Sequence, residues 1–330
     1  MPTSYRLFGA ETSPYSLKVR SFLRYKGAAF DWVQRSSATE AEFNRHAVLP
    51  TIPLLIAPDG KASQDSTNML VTLEKKIATP PAMPDDPACR AIALLLEDYA
   101  DEWLNKAMFL NRWGQSPDRD AAATRVLEQI LSGKPPAKRR EAKASIVSRM
   151  GERLPIVGAT PENAPVITAS FHRFATLFNS HLEKHLFVFG GHPSSADFAL
   201  AGQFQQMLLD PTGGTWLRER APFIVAWAEF METPTPGAPF ATLGDLSETL
   251  LPILRDELAT TFIPWAEANS QAITKRKKTV TLDLADGPFE QATQRYAAKS
   301  WRAVKKAIEK LSASDGLKPL LADAGLDALA

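Results

Sequence analysis

Two groups of residues in the first part of the chain could bind a charged small molecule. Ile52-Pro53 opens an apolar run, and Asp65-Ser66 follows at the predicted start of a helix. An aspartate and a serine at a helix N-terminus offer a carboxylate, a hydroxyl and unpaired N–H groups together. Such a cluster can hold both charges of an amino acid. The same residues also fit a hairpin followed by a simple helix cap, and from them alone both interpretations stay open.

Pro53 predicts the beginning of a strand at this cluster. Proline cannot donate a hydrogen bond to a sheet, so it belongs at the first residue or the edge of a strand. Cis peptide bonds are essentially confined to bonds that precede proline. A cis Ile52–Pro53 bond would turn the Ile52 backbone outward, where it can pair with the backbone of a ligand. We therefore expect a cis bond and an Ile52 backbone that faces an open cleft.

The surrounding pattern predicts the order β-α-β, a connection, and then β-β-α. Ser13-Pro14 is typical of a helix start, because serine is a preferred cap and proline suits the first helical position. Gly27 stands where that helix should end. The apolar residues of this helix fall on one side at helical spacing; they are Tyr15, Val19, Phe22 and Leu23.

Residues 5–77 resemble the thioredoxin-like domain of the glutathione S-transferases. Three motifs in this order carry the resemblance: Ser13-Pro14-Tyr15-Ser16 with Lys18-Val19-Arg20, then Ile52-Pro53-Leu54-Leu55, then Gln64-Asp65-Ser66. Residues 190–200 look like the family's helix-capping segment, in which Ser194 caps a helix and Asp197 reaches back to it. The resemblance implies an α/β thioredoxin-like N-terminal domain, an all-α C-terminal domain and a C-terminal extension.

Breaks in composition divide the chain in the way this fold requires. Residues 79–88 are rich in proline and acidic, a composition typical of a linker. We therefore expect a glutathione-binding domain at 1–78 and an all-helical domain at 89–330, of which the part from about 240 exceeds the usual family length. Within this extension, residues 278–284 alternate at period two before a turn, which predicts a small hairpin at 278–291.

The resemblance implies glutathione as co-substrate and a hydroxyl group that activates its thiol. The thiolate is the nucleophile, and a free thiol has a pKa of about 8.5, so it needs stabilisation to ionise at neutral pH. A hydroxyl donor at the positive end of a helix supplies it. Ser13 holds the place of the family's catalytic serine or cysteine, and Ser16, Thr12 and Tyr15 are near enough to take the role instead. Because no cysteine stands there, we expect conjugation, dehalogenation, isomerisation or peroxide reduction rather than disulfide exchange through the enzyme.

The resemblance also implies which residues anchor the tripeptide, namely Ile52, Pro53, Asp65 and Ser66. Many family members place a lysine immediately before the apolar-Pro pair, near the glycyl carboxylate, whereas this chain has Thr51. Arg45 or His46 is the alternative source of that positive charge.

The electrophile is expected between the two domains. The resemblance implies a substrate pocket lined by Tyr15, Trp103, Arg112 and Trp113. The alternative is that the aromatic residues belong to the core or to an interface. Arg112 beside Trp113 near a helix end favours the pocket and an anionic substrate.

Composition argues against several other classes of protein. A net charge of +1 gives no overall attraction to nucleic acid or to a membrane surface, and no apolar run is long enough to span a membrane. The single cysteine, Cys89, excludes a disulfide framework and favours a reducing cytoplasm. His181 and His185 share a helix face, but no third ligand is implied, so we expect solvated side chains and no metal.

The sequence thus predicts a cytoplasmic, homodimeric glutathione transferase that acts on a small electrophile. Two alternatives stay open. One is a non-catalytic binding or interaction protein on the same scaffold, which Thr51 favours slightly. The other is a glutathione-dependent peroxidase.

Overall fold

The computed structural model describes residues 4–131, 136–311 and 316–329 of the 330-residue chain. Residues 1–3 and 330, the outer ends of the two predicted domains, lie outside this description. The described strands are β1 (Tyr5–Gly9), β2 (Phe30–Gln34), β3 (Leu54–Ile56), β4 (Ala62–Gln64), β5 (Thr279–Leu284) and β6 (Gly287–Ala292).

The N-terminal part is a four-stranded sheet with the strand order β2-β1-β3-β4. Strand β1 pairs parallel with β2, whereas β3 is antiparallel to both β1 and β4. Three helices accompany the sheet, α1 (Pro14–Tyr25), α2 (Glu40–His46) and α3 (Ser66–Lys76). Helix α1 makes the crossover that two parallel strands need. This is the predicted thioredoxin-like order, with α2 in the connection.

Helix α1 begins and ends where its sequence predicts. The Ser13 hydroxyl oxygen accepts a hydrogen bond from the Ser16 N–H at 3.2 Å, and Pro14 is the first helical residue. Gly27 follows the helix with a φ of +61°, a conformation that glycine adopts without steric cost. The Ile52–Pro53 bond is cis, as expected, and Pro53 directly precedes strand β3.

Most of the described chain after the linker is helical, which confirms the all-α character of the second part. Its helices are α4 (Pro87–Tyr99), α5 (Asn105–Gly114), α6 (Asp118–Leu131), α7 (Pro136–Gly151), α8 (Leu154–Val157), α9 (Ala164–Lys184), α10 (Ser195–Leu208), α11 (Pro211–Arg220), α12 (Pro222–Phe230), α13 (Leu243–Pro252), α14 (Ile263–Thr274), α15 (Arg295–Leu311) and α16 (Leu317–Asp323). Two π-helical segments, Ala100–Leu104 and Ile253–Phe262, join α4 to α5 and α13 to α14, and Asp327–Leu329 forms a 3₁₀ turn.

Helices α1 and α10 form the main contact between the two parts. A Cβ at Gly202 would lie 2.5 Å from the Pro14 carbonyl oxygen, so only glycine permits this approach of the two helices. The Phe22 and Tyr25 rings of α1 pack on the Phe198 ring of α10 at 5.1 and 5.5 Å between centroids. The beginning of α1, which carries Ser13, is therefore fixed against the helical part.

The predicted capping segment forms as expected. The buried Asp197 carboxylate accepts hydrogen bonds from the Ser194 N–H at 2.8 Å and the Ser194 hydroxyl at 2.7 Å. It also accepts one from the Val188 N–H at 2.9 Å, which ties the preceding loop to α10. Asp197 therefore has a folding role and lies in the capping box of this helix.

The C-terminal extension packs back onto the earlier helices. Strands β5 and β6 form an antiparallel hairpin at the predicted place, with Leu284 paired to Gly287 across the turn. Helix α15 lies on α4, where the Ser300 hydroxyl donates a hydrogen bond to the Asp98 carboxylate. The Trp301 ring packs edge-on against Phe262 at 5.8 Å. The extension therefore shares the core of the helical part.

The expectation of two solvated histidines was wrong for His181. Its ring is buried, with the Thr249 hydroxyl at 2.8 Å from one nitrogen and the Val188 carbonyl oxygen at 3.0 Å from the other. Among the described residues, no group of three or more His, Cys, Asp or Glu side chains is arranged to hold a metal ion. None of the described helices is both long and apolar enough to cross a membrane.

Candidate functional site

A cavity of about 580 Å³ lies where the sheet, the helical part and the extension meet. The sheet side contributes Thr51, Ile52, Pro53, Asp65 and Ser66, and α1 contributes Tyr15. The structure thus brings five of the predicted site residues together in one cavity: Tyr15, Ile52, Pro53, Asp65 and Ser66.

The backbone of Ile52 is available to a ligand. Among the described residues, no group forms a hydrogen bond with its N–H or its C=O, although the residue lines the cavity. The loop before it is held by Gln64, whose amide donates to the Leu49 and Thr51 carbonyls at 2.8 and 2.7 Å. The Gln64 side-chain oxygen accepts from the Val48 and Leu49 N–H groups, both at 2.9 Å. Gln64 therefore fixes the loop that presents Ile52.

Asp65 and Ser66 form the N-terminus of α3 at the cavity. The Asp65 carboxylate accepts hydrogen bonds from the Asn68 N–H at 3.3 Å and the Asn68 side-chain amide at 2.8 Å. Asp65 has a φ of +81°, which is unfavourable for a residue with a Cβ and is found most often at functional sites. No described group bonds the Ser66 hydroxyl, and the Ser66 and Thr67 N–H groups at the start of the helix have no partner among the described residues.

The structure does not bring Ser13 and Ser16 into the lining of the cavity. Ser13 is half-buried and caps α1, and no described group accepts a hydrogen bond from its hydroxyl. Ser16 is fully buried, and its hydroxyl has no hydrogen-bond partner among the described residues. Enclosure of this kind separates Ser16 from a ligand in the cavity, whereas Ser13 keeps a free donor at the end of the helix.

Tyr15 carries a hydroxyl group on helix α1 and lines the cavity, but its proton already forms a hydrogen bond within the protein. It donates a hydrogen bond to the Asp101 carbonyl oxygen at 2.9 Å and accepts one from the Asn105 side-chain amide at 2.8 Å. Burial raises the pKa of Tyr15 well above its ordinary value, and the nearby Asp101 carboxylate adds to the effect. The phenol is therefore neutral and helps to position Asn105.

Three residues predicted for the substrate pocket lie elsewhere, so that interpretation is corrected. Trp103 is buried, donates to the Ser170 hydroxyl at 2.8 Å and packs on Trp265. Arg112 is buried against Asp210, with the guanidinium Nε 2.9 Å from a carboxylate oxygen. Trp113 is buried in a separate apolar cluster. The two tryptophans therefore belong to the core, which was the alternative interpretation of the aromatic residues. The arginine forms an internal ion pair.

Arg45 also lies away from the cavity. It is an exposed residue near the end of α2 and is not part of the lining, and the neighbouring His46 is exposed too. Thr51, which stands in place of the family's lysine, does line the cavity. Neither predicted source of positive charge for the glycyl carboxylate is in place in this arrangement.

The sequence reasoning missed the opposite wall of the cavity. Its polar residues are Asp101, Glu102, Asn105 and Lys106 from the π-helical segment and α5, and Gln291, Gln294, Tyr296 and Lys299 from the extension. The signal for the first four was present: polar residues recur four positions apart in an otherwise apolar helical stretch, Asp101 with Asn105 and the acidic Glu102 with the basic Lys106. Charges at that spacing within a buried helix indicate a face that lines a polar cavity.

Two family models match the chain in the order that this fold requires. Residues 12–76 match the glutathione S-transferase N-terminal domain, and residues 137–229 match the glutathione S-transferase C-terminal domain. The chain therefore carries segments that match both domains of the glutathione S-transferases, in their order. Both ends of the glutathione S-transferase signature on the sheet side, Ser13-Pro14 and Asp65-Ser66, fall inside the first match.

The chain is similar to several known glutathione S-transferases. It is 31% identical to glutathione S-transferase U11 of Arabidopsis thaliana over 100 residues, which span 29% of this chain and 42% of that relative. A glutathione S-transferase from Methylobacterium radiotolerans, in complex with glutathione sulfonate, aligns with 75% of this chain and 94% of its own at 23% identity and a TM-score of 0.44. A Tau class enzyme from mango, Mangifera indica, aligns with 70% of this chain and 89% of its own at 20% identity and a TM-score of 0.44.

The wall opposite the glutathione S-transferase signature comes from parts of the chain that neither family model covers. Glu102, Asn105 and Lys106 lie between the two matches, and Gln291 and Tyr296 lie after the second. The cavity therefore combines a sheet side that lies inside the first match with a second side that lies outside both matches.

Proposed function

We propose that this protein is a glutathione transferase that binds glutathione along Ile52 and the N-terminus of α3 and activates its thiol for attack on a small electrophile. The observation that carries the proposal is the unpaired Ile52 backbone beside Asp65 and Ser66 on one wall of the cavity. An extended peptide can pair with the free N–H and C=O of Ile52. Its amino-acid end then meets the Asp65 carboxylate and the Ser66 hydroxyl.

Thiol activation is assigned to Ser13. Its hydroxyl proton has no acceptor among the described residues, and it stands at the positive end of α1. Ser16 and Tyr15 are weaker candidates, because one is enclosed and the other already donates to Asp101. The small electrophile would occupy the other side of the cavity, between α5 and the extension.

Calorimetric titration with glutathione tests the binding half of this proposal. We expect saturable binding to the full chain with one site per chain, and competition by an S-alkyl glutathione. Absence of binding at millimolar glutathione, with the chain folded by circular dichroism, would contradict it. Turnover is then assayed with alkyl halide, epoxide, enone and peroxide substrates.

A non-catalytic glutathione-binding protein is the second candidate. The engaged proton of Tyr15 and the position of Ser13 outside the cavity lining favour it. Saturable glutathione binding without turnover of any of these substrates is the result that would select it. The homodimer and the cytoplasmic location implied by the resemblance stay predictions, and sedimentation of the 36.2 kDa chain tests the first.

A further inference from the structure

Lys106 is a buried lysine in the wall of the cavity. Only 4% of its surface is exposed, and its ammonium nitrogen lies 4.1 Å from the Trp265 ring centroid and 5.6 Å from that of Trp103. Aromatic faces attract a cation but do not replace the hydration that a buried ammonium loses. A lysine in this position therefore lacks part of the stabilisation that it would have in water.

Two hydrogen bonds fix the Lys106 nitrogen, and both acceptors are uncharged. One is the Val157 carbonyl oxygen on α8 at 3.2 Å, and the other is the Gln291 side-chain oxygen on β6 at 3.0 Å. The Gln291 amide in turn donates to the Ile156 carbonyl at 3.0 Å, which fixes the orientation of its side chain. An ammonium group has three N–H donors, so one remains without a partner in the described structure.

No carboxylate lies within ion-pair distance of this nitrogen among the residues described. The elements packed against it present the Val157 carbonyl, the Gln291 amide and the Trp265 ring, which carry no charge. The titratable group that acts on it is Glu102, four positions earlier on the same helical stretch, and burial raises the pKa of this carboxyl above its ordinary value. Burial lowers the pKa of Lys106 well below that of an ordinary lysine, and Glu102 opposes this only in part. The amine can therefore give up a proton near neutral pH.

The residue before Lys106 contacts helix α1, which Ser13 caps. The preceding residue, Asn105, donates a hydrogen bond to the Tyr15 hydroxyl at 2.8 Å, and Tyr15 stands two positions after Ser13 at the start of α1. Asn105 and Lys106 both line the cavity. A molecule that reaches from the start of α1 into the cavity meets both side chains.

We propose that Lys106 is the proton donor to the carbonyl oxygen of an α,β-unsaturated carbonyl substrate, to which the glutathione thiolate adds. This inference rests on the proposed function and assigns a further catalytic residue to the same site. Gln291 is a positioning residue, since it acts only through Lys106. The extension thereby supplies part of the catalytic arrangement.

The step balances without any further reactant. The thiolate sulfur forms a bond to the β-carbon, and the electron pair of the C=C bond moves to the carbonyl oxygen as an enolate. The free N–H of Lys106 gives its proton to that oxygen. The enol then becomes the ketone through solvent, and solvent returns a proton to the amine. General acid catalysis of this kind contributes about 100-fold or more to the rate.

Two matched electrophiles separate this role from a structural one. trans-4-Phenyl-3-buten-2-one needs a proton on its oxygen, whereas benzyl chloride has no oxygen and needs none. In Lys106→Met we expect kcat/KM for the enone to fall about 100-fold, and kcat/KM for benzyl chloride to stay within about threefold. Glutathione binding by calorimetry shows that the variant is folded.

The pH profile of the unaltered protein gives a second readout that requires no variant. A proton donor acts only when protonated, so kcat/KM for the enone should fall as pH rises through the lowered pKa of Lys106. The benzyl chloride profile should rise with thiol ionisation and then stay level. Lys318→Met removes an exposed lysine that does not line the cavity, and its enone profile should keep the descending limb.

The outcomes are distinguishable. Equal losses on both electrophiles in Lys106→Met, or an enone profile without a descending limb in the unaltered protein, would overturn the role of Lys106 and leave the transferase proposal standing. An unaltered protein that turns over none of the halide, epoxide, enone and peroxide substrates would overturn both proposals, and turnover of other substrates without the enone would overturn the role of Lys106 alone. A fall in kcat/KM of Lys106→Met for the enone alone, together with a descending limb in the enone profile of the unaltered protein, supports the role of Lys106.

Discussion

The ammonium of Lys18 lies 2.7 Å from a carboxylate oxygen of Asp101, and both side chains are almost completely withdrawn from water. Glu97 approaches the same nitrogen at 2.8 Å. Although burial alone would lower it, Asp101 and Glu97 raise the pKa of Lys18 above its ordinary value. The contact joins α1, which carries Ser13, to the π-helical segment that carries Glu102, and so holds the two sides of the cavity together.

Removing this cation should destabilise the protein strongly. In Lys18→Met we expect the free energy of unfolding to fall by about 3–5 kcal/mol, because two buried carboxylates lose their partner. Denaturant unfolding measures the change. The control is a triple variant that leaves no buried charge unpaired, Lys18→Met with Glu97→Gln and Asp101→Asn. Its free energy of unfolding should fall much less than that of Lys18→Met. A loss below about 1 kcal/mol in Lys18→Met would show that the cluster does not hold the two elements together.

The charge of Asp65 should matter more for glutathione than for folding. Asparagine keeps the helix-capping ability of aspartate but cannot pair with an ammonium group. In Asp65→Asn we expect glutathione binding to weaken by about 1.5–3 kcal/mol, the size of a hydrogen bond to a charged group. Calorimetry measures this. The control is Asp59→Ala in the β3–β4 turn, which removes another carboxylate of the same sheet and should bind glutathione normally. If Asp65→Asn binds glutathione as tightly as the unaltered protein, Asp65 is not part of the site.

The two serines at the start of α1 should behave differently. Ser13→Ala should raise the pKa of bound glutathione and leave its affinity within a few fold, since ionisation of the thiol and anchoring of the tripeptide use different groups. Turnover at pH 7 should fall and recover partly at higher pH. Ser16→Ala removes a buried hydroxyl without a partner and should be neutral or stabilising. A thiol that titrates normally in Ser13→Ala would assign its activation to another group.

His181 should make stability depend on pH in acid. The Val188 carbonyl can only accept, so the ring donates to it from one nitrogen, and the other lies 2.8 Å from the Thr249 hydroxyl in a buried environment that favours the neutral ring. Burial, aided by His185, lowers the pKa of His181 to about 4. Between that value and about 6.5 the unfolded chain binds a proton that the folded chain does not, so stability is lost as pH falls through this range.

The variant His181→Gln isolates this effect from opposing groups. Burial raises the pKa of Asp197 to about 6, and that group acts in the other direction over the same range. The difference between the unfolding free energies of the two proteins should therefore shrink by roughly 3 kcal/mol from pH 7 to pH 4. Identical pH profiles of the two proteins would contradict the buried neutral ring. His185→Gln, at a half-buried position, should change the profile less.

Local sequence signals predicted the sheet side of the site well. Proline before a strand, Ser-Pro at a helix start and Ser194 with Asp197 each act through neighbours in the chain, so their geometry follows from a few residues. The period-two alternation near residue 280 likewise predicted the hairpin. These elements needed no knowledge of how distant segments pack.

The opposite side could not be predicted for a physical reason. A helical pattern shows which residues share a face but not which distant element that face meets. Arg112 looked like a pocket residue, yet its partner is Asp210, far along the chain. In the same way, Lys106 became part of a site only because Gln291 of the extension returns to it.

The titration of the glutathione thiol in its complex with the unaltered protein tests directly whether this site activates the thiol. Thiolate absorbance is followed against pH at saturating glutathione, with Ser13→Ala alongside. We predict a bound thiol whose pKa lies about one to two units below the value of about 8.5 for a free thiol, which corresponds to roughly 1.4–2.7 kcal/mol of preferential stabilisation of the thiolate. A bound thiol that titrates like free glutathione, or an absence of binding, would contradict it.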